Sequence, residues 1–532
     1  MGRPFGLGIA ICSLFWAGIA QSEDDAVTAF ATLPAATAPA TQPATQSAPT
    51  LVCTLVPTDT DPAHIFYPKD KAVFPVALSN PGEAPLPAPG SIIFGRWEGP
   101  AFVVVQSHLL TPALIPPGGR LRVDVPVEFA QTGRYELRIG SQVVATGMPI
   151  HCILPPRTEA LKGQPSPWLG AMPDELMGSS AATVTDYIQH TAIQTLVWDY
   201  PWHAPNRPLI TQEAVDQLVA GVKAGSGQLI LRIGIRTQAH ADPRDVADFN
   251  EFMTALAKRA KGVLTAVVVA PLEADQAQAS YTSYYLAAYA AAKRADPNTR
   301  LLATGMALRD ALYLTGQPAA AGLSWGKYQD GIGSRPMAGE LATALKLAAG
   351  RKHDVWVLPW AAWDGPVPAV ALPAVAALAA GATRVPLTGF DHGTKAHLFT
   401  GATYVGRVHD DQPYYLAAYQ GQGYGVVALA GLGAGTLTDL KWPEAAARMN
   451  TGTAKPATLS VPDPDGSMRV VDNQGRPVEC RKGDTLVIPL GREMVYLLGI
   501  ATAEDMLALL RPQSAVGLPA ELSQIAPKEL PQ

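Results

Sequence analysis

Val267-Val268-Val269-Ala270-Pro271-Leu272-Glu273 is followed by Tyr281 to Ala295, the break Asp296-Pro297-Asn298, and Leu301-Leu302-Ala303. A short, continuously apolar run bounded by turn residues reads as a strand covered on both faces, and the longer run after it reads as a helix. Upstream, Leu229-Ile230-Leu231-Arg232-Ile233 repeats the strand pattern. The segment between has Asp242 as N-cap and Pro243 at the first helical position, and Val246, Phe249, Phe252, Met253, Leu256 and Ala260 recur at helical spacing. To either side the pattern continues from Trp168 to Gly393. Leu196–Trp202 reads as strand 2, Leu323–Tyr328 as strand 6, Val355–Leu358 as strand 7 and Arg384–Phe390 as strand 8. Such alternation fits a parallel (β/α)8 barrel better than an open doubly wound sheet.

The flanks are of another kind. From Leu51 to Leu154 short β patterns alternate with turns. Leu121, Val123, Val125 and Val127 share one face of a strand opposite Arg122, Asp124 and Pro126, and Gly133–Ile139 looks like the late strand of an immunoglobulin-like sandwich. After Thr403, β patterns return at Tyr424–Ala430, Met468–Gly475, Thr485–Leu490 and Met494–Leu498, the last two expected to pair through Gly491-Arg492-Glu493. The expected class is therefore multidomain α/β plus β, a TIM barrel (165–400) between an N-terminal immunoglobulin-like β-sandwich (51–155) and a C-terminal β-sandwich (403–500), with a tail at 501–532.

With 532 residues, 48% hydrophobic and 16% charged, the chain is long enough for several cores. A net charge of −5 without any Lys/Arg block gives no reason to expect nucleic acid or an anionic membrane as partner. Residues 1–20 read as an export signal, with Arg3 before the apolar run Phe5–Ala20, and imply a secreted or periplasmic protein without a transmembrane segment once the signal is removed. Residues 21–50, rich in Pro, Thr and Ala, read as a disordered linker. Cys53 and Cys152 lie in the first and last strands of the N-terminal domain. They are either a disulfide worth about 3–5 kcal/mol or two buried thiols, and Cys480 is left over.

Residues 168–393 resemble the clan-A retaining glycoside hydrolases. The strand-4 run before Glu273, the Ala295-Asp296-Pro297 break ahead of strand 5 and the strand-2 segment Leu196–Trp202 carry the resemblance, and it decides for a barrel. It implies an acid/base glutamate after strand 4 and a nucleophile after strand 7. Such hydrolysis needs two carboxyl groups about 5 Å apart, delivered from the carboxyl ends of different strands. Glu273 falls at the acid/base position. The family's Asn before it is Leu272, its strand-2 Arg falls on Trp198, and its strand-6 His-Xaa-Tyr appears as Gly326-Lys327-Tyr328. Its strand-7 Thr-Glu falls on Leu358-Pro359, so the nucleophile is missing.

Asp364, in Trp363-Asp364-Gly365-Pro366, is the candidate for a displaced nucleophile, although Asp before Gly is ordinary turn chemistry. Trp198, Trp202, Trp325, Tyr328, Trp360 and Trp363 are candidates for stacking on sugar faces, or else rings that fill the barrel mouth. No phosphate loop, zinc-protease or nucleophile-elbow motif occurs. His392 and His397 lack a third ligand, so neither a metal nor another cofactor is expected. Three readings stand: a carbohydrate-binding protein that does not hydrolyse, a hydrolase using Glu273 with a relocated carboxylate, and a structural or protein-binding module whose protein partner the sequence does not reveal.

Overall fold

The computed structural model describes residues 50–56, 61–98, 101–157, 159, 166–191, 193–203, 210–236, 241–272, 278–304, 318–319, 323–324, 331–334, 354–358, 384–387, 392–407, 414–431, 457–490 and 494–510. Contacts divide the chain into residues 1–50 and residues 51–532, and the architecture below belongs to the second unit. The expected signal and linker lie outside the described residues, apart from Thr50.

The first domain runs through β1 (Val52–Leu55), β2 (Ile65–Phe66), β3 (Lys71–Ser79), β4 (Leu86–Pro87), β5 (Ser91–Glu98), β6 (Ala101–Leu109), β7 (Leu114–Ile115), β8 (Arg120–Glu128), β9 (Gly133–Ile139), β10 (Gln142–Val143) and β11 (Ile150–Cys152). β1-β3-β8 form one sheet and β2-β11-β9-β5-β6 another, with β10 beside β9 and the short pair β4-β7 apart. Both sheets supply one core, with Phe74, Val76, Val125 and Val127 from the first and Phe94, Leu137 and Ile150 from the second. The alternation read in β8 is realised, its valines inward and its charged residues outward. The apolar run Phe102–Val105 behaves differently. β6 is the edge strand, and Val103, Val104 and Val105 are exposed. Cys53 and Cys152 are buried free thiols rather than a disulfide, and Cys480 is free as well.

Next come β12 (Trp168–Ala171), α1 (Ala181–His190), β13 (Thr195–Pro201), α2 (Gln212–Ala224), β14 (Gln228–Ile235), α3 (Pro243–Arg259), β15 (Leu264–Pro271), α4 (Gln278–Ala295) and β16 (Arg300–Thr304). Then follow β17 (Pro318–Ala319), β18 (Leu323–Ser324), β19 (Gly331–Ser334), β20 (Asp354–Val357), β21 (Val385–Leu387) and α5 (His392–Phe399). The first three helices start where side chains accept orphan N–H groups: Ser180 from Thr183, Thr211 from Ala214, and Asp242 from Arg244. Strands β20-β19-β16-β15-β14-β13-β12-β21 form one eight-stranded sheet, parallel throughout. Its order follows the chain, except that the eighth strand lies beside the first. A parallel bridge from Trp356 to Arg384 joins the seventh strand to the residue before the eighth.

One expected strand is misplaced. Leu323-Ser324 pairs antiparallel with Pro318-Ala319, and the sixth parallel strand is Gly331–Ser334. Glycines at positions 331 and 333 hide that strand from hydropathy, whereas Leu323 and Trp325 imitate one.

Alternation along the strands separates two cores. Leu196, Trp198, Tyr200, Leu231, Ile233, Val267 and Val269 pack with Val184, Leu218, Phe249 and Tyr285 from the helices. Leu169, Val197, Ile230, Ala266, Val268, Leu302, Trp356 and Leu358 form a second core, to which no helix contributes among the described residues.

The third domain comprises β22 (Thr403–Arg407), β23 (Tyr414–Gly421), β24 (Tyr424–Gly431), β25 (Ala457–Pro462), β26 (Arg469–Val471), β27 (Arg481–Lys482), β28 (Thr485–Leu490), β29 (Val495–Gly499) and α6 (Ala503–Leu510). β28 pairs with β25 and β27, while β29 pairs with β24 and β26. The expected hairpin between them is therefore a crossover between two sheets. In the five-stranded sheet β22-β23-β24-β29-β26 both faces are covered. Leu416, Ala418, Val427, Leu429 and Leu497 face β28 and α6, and Ala417, Tyr419, Val426, Ala428 and Tyr496 join the core of the parallel sheet. Phe399 meets Tyr419 and Tyr496 there, with ring centroids 4.9 and 5.5 Å apart. Among the described residues no helix is long and apolar enough to cross a membrane.

α1 is tied to the first domain. Ala63 N–H donates to Asp186 Oδ2 at 3.0 Å, Tyr67 hydroxyl donates to the His190 carbonyl at 3.0 Å, and His190 Nδ1 lies 2.8 Å from Asp186 Oδ1. The hydrogen bond to Asp186 outweighs burial and raises the His190 pKa from 6.5 to about 9. A raised folded-state value contributes stability that is complete below the unfolded value and fades as pH climbs through about 9. His190→Gln is therefore expected to cost about 1 kcal/mol at pH 6, discounted for partial exposure. The gap from wild type in urea denaturation should close by about pH 10.

Candidate functional site

The carboxyl ends of parallel strands are where such sheets carry their sites, because the connecting loops there gather residues from separate strands. Two side-chain groups occupy that end among the described residues. On the face of Val197 and Ile230, Asp199 and Arg232 stand directly opposite each other in the register of β13 and β14. Arg232 Nε donates to Asp199 Oδ1 at 2.6 Å and Nη2 to Oδ2 at 2.8 Å, a bidentate pair. Their side chains are only 5% and 18% exposed, so neither charge is well solvated. Asp199 is thus held as a guanidinium partner and not as a free nucleophile.

The second group joins the ends of β13 and β14 to α3 and α4. Asp245, in the first turn of α3, accepts from Trp202 Nε1 at 3.2 Å, from His203 Nε2 at 2.7 Å and from the Tyr284 hydroxyl. His203 Nδ1 accepts the Arg236 N–H at 2.8 Å, which leaves Nε2 as the protonated nitrogen facing Asp245. Burial raises the Asp245 pKa, but the hydrogen bonds from Tyr284, His203 and Trp202 prevail and hold it below 3.8. The same burial, with the carboxylate alongside, pushes the Tyr284 hydroxyl up. No nucleophile belongs to this cluster, and its effect is to fix the rim.

Asp245→Ala removes the acceptor shared by three donors and is expected to cost about 1–2 kcal/mol at pH 7. A depressed pKa contributes stability that is present above 3.8 and is lost as pH falls through the folded value. The difference from wild type in denaturant titrations should therefore shrink toward pH 3.

The expected site residues divide sharply. Trp198 and Trp202 are 4% and 6% exposed, in the core between sheet and helices. Trp202 packs edge-on against Phe249 at 5.3 Å with its indole N–H engaged by Asp245. Neither ring is available for a sugar face, which corrects their assignment to the cleft. The reason is alternation: Trp198 and Tyr200 point to the helices, so Asp199 points the other way. Pairing at the end of strand 4 persists to Leu272, whose N–H donates to the Ile235 carbonyl at 2.8 Å. Glu273, Asp364, Trp325, Tyr328, Trp360 and Trp363 lie outside the described residues. With the sixth strand at Gly331–Ser334, Trp325 and Tyr328 precede it in the chain rather than follow it.

Asp61, Asp186 and His190 bring three potential metal-ligating atoms within 4.8 Å of one another. Both oxygens of Asp186 already accept, one from Ala63 and one from His190, so the group serves as a hydrogen-bonded clasp.

No family model matches the chain, and no curated protein matches it. Among solved structures it is similar to Xyn30A, a glycoside hydrolase family 30 subfamily 8 xylanase from Clostridium acetobutylicum. That match has 11% identity and a TM-score of 0.38, and covers 63% of this chain and 96% of that one. A GH27 β-L-arabinopyranosidase from Geobacillus stearothermophilus matches at 11% identity and a TM-score of 0.34, covering 64% and 98%. A putative α-galactosidase/melibiase from Bacteroides fragilis matches at 9% identity and a TM-score of 0.31, covering 85% and 98%. Likeness at these levels carries nothing about activity, which must come from the site.

Proposed function

We propose that the protein is exported and that its eight-stranded sheet closes as a (β/α)8 barrel whose mouth binds carbohydrate without hydrolysing it. Closure is supported by the circular strand order, the Trp356–Arg384 bridge, and a core drawn from β12 through β16 and β20 that, among the described residues, has no helix residue in it. A flat sheet would hold β12 and β20 too far apart to share that core. The N-terminal domain is read as an immunoglobulin-like sandwich beside the barrel.

One observation carries the functional reading. The seventh strand is Asp354–Val357, and the residues after it, Leu358-Pro359-Trp360-Ala361-Ala362-Trp363, contain no carboxylate, while Glu273 follows the fourth strand closely. One acid without a partner can hydrogen-bond a sugar but cannot run a two-carboxylate displacement. Trp360 and Trp363, in the same stretch of sequence after the seventh strand, are the candidate stacking rings.

The test is calorimetric titration of a polysaccharide panel beside a hydrolysis assay of wild type and Glu273→Gln. Binding without turnover, weakened in the variant, is the expected result. Turnover abolished by Glu273→Gln would restore a hydrolase with Asp364 as the first carboxylate to examine. Absence of binding to every glycan would remove the carbohydrate reading and leave a structural or protein-binding module.

A further inference from the structure

A cavity of about 470 Å³ lies away from the parallel strands' carboxyl ends, between Arg157, the end of α5 and the five-stranded sheet of the third domain. Its volume is in the range of small-molecule sites. Arg157 and Arg469 both line it, together with Ser467, Tyr424 and Ile500. A guanidinium is cationic and has only donors to offer.

Arg157 is held in place. Its guanidinium lies 4.3 Å from the centre of the Tyr424 ring, and Nη2 is 3.2 Å from His397 Nε2. Because the guanidinium can only donate, His397 Nε2 is the acceptor, and its Nδ1–H donates to the Pro155 carbonyl at 2.8 Å. Tyr424 is anchored in turn, its hydroxyl donating to the Leu398 carbonyl at 3.0 Å. Burial, helped by the charges of Arg157 and Arg469, lowers the His397 pKa against the opposing effects of the Pro155 carbonyl and Glu159.

Among the described residues neither arginine forms an ion pair with a carboxylate. The nearby Asp463 is already engaged, accepting from Arg481 and from the backbone N–H groups of Ser467 and Met468. Glu159 lies near enough for its charge to reach His397, yet among the described residues it pairs with neither arginine, so an oxyanion between the two like charges would relieve their repulsion. Ile500, 79% exposed, gives the rim an apolar surface for the body of the ligand.

We propose that this cavity is an oxyanion-binding site, for a small molecule or sugar unit bearing a carboxylate, sulfate or phosphate. The proposal is independent of the barrel mouth. It is tested by titrating the full chain in chloride buffer with glucuronate, inorganic phosphate, sulfate and neutral glucose, following calorimetric heat and melting temperature. Arg469 is exposed at the start of β26, so Arg469→Gln should fold and melt like wild type without ligand. At least one anion should bind, with affinity about tenfold or more above glucose, and Arg469→Gln should lose about tenfold of it. Preference for glucuronate assigns a saccharide carboxylate, and preference for phosphate or sulfate assigns an ester; either supports the site. No binding of any anion, equal binding of glucose, or unchanged affinity in Arg469→Gln overturns it.

Discussion

Asp199→Ala is expected to lower the unfolding free energy by about 3–5 kcal/mol, because it removes the carboxylate that accepts two N–H groups of a guanidinium with little access to water. The Arg232 side chain is 5% exposed and donates two of its N–H groups to that single carboxylate. Removing the cation as well should recover most of the loss. The double variant Asp199→Leu/Arg232→Met replaces an ion pair with apolar volume, an exchange that is often neutral or stabilising. Urea denaturation of the singles and the double gives the coupling energy by a mutant cycle. A double variant as unstable as Asp199→Ala would show that the pair's neighbours, rather than the uncompensated charge, set the cost.

Trp168→Ala is the second large effect, about 3–5 kcal/mol. The ring opens the first parallel strand, is fully buried, and donates Nε1–H to Thr400 Oγ1 at 2.8 Å just past α5. It thereby links β12 to the segment that leads into the third domain. Trp168→Phe keeps most of the apolar volume and removes the donor, so it should cost appreciably less. Thermal or denaturant unfolding of the two variants separates packing from the hydrogen bond. Equal losses would mean that the cavity is not what matters.

Much of this was legible in the chain. The Asp242-Pro243 start of α3, the valine run of β15 and the alternation of β8 follow from local chemistry, and the structure has all three where the residues indicate. β19 escaped because its glycines carry no side-chain signal. The crossover from β28 to β29 escaped because hydropathy does not tell which of two sheets a strand joins. At the candidate site, Asp199 and Arg232 were visible as single charges inside apolar runs, and that they face each other depends on register. The Asp245 cluster was not legible, since its members come from four elements distant in sequence. Trp198 and Trp202 resemble cleft residues by their place at the end of a strand, but period-2 alternation turns them, with Tyr200, toward the helices.

The five-stranded sheet of the third domain has a bearing on how this protein can be cut and recombined. A sheet with one wet face can be detached from its neighbour, expressed alone and grafted elsewhere. Here strands β23 and β24 send alternate residues into two different interiors. A truncation before Thr403 would leave Phe399 and its neighbours facing solvent, and the excised piece would carry a bare stripe of Tyr419, Val426 and Tyr496. Neither fragment is a portable module. Because the parallel sheet and its C-terminal neighbour share one interior, the two are expected to melt as one piece.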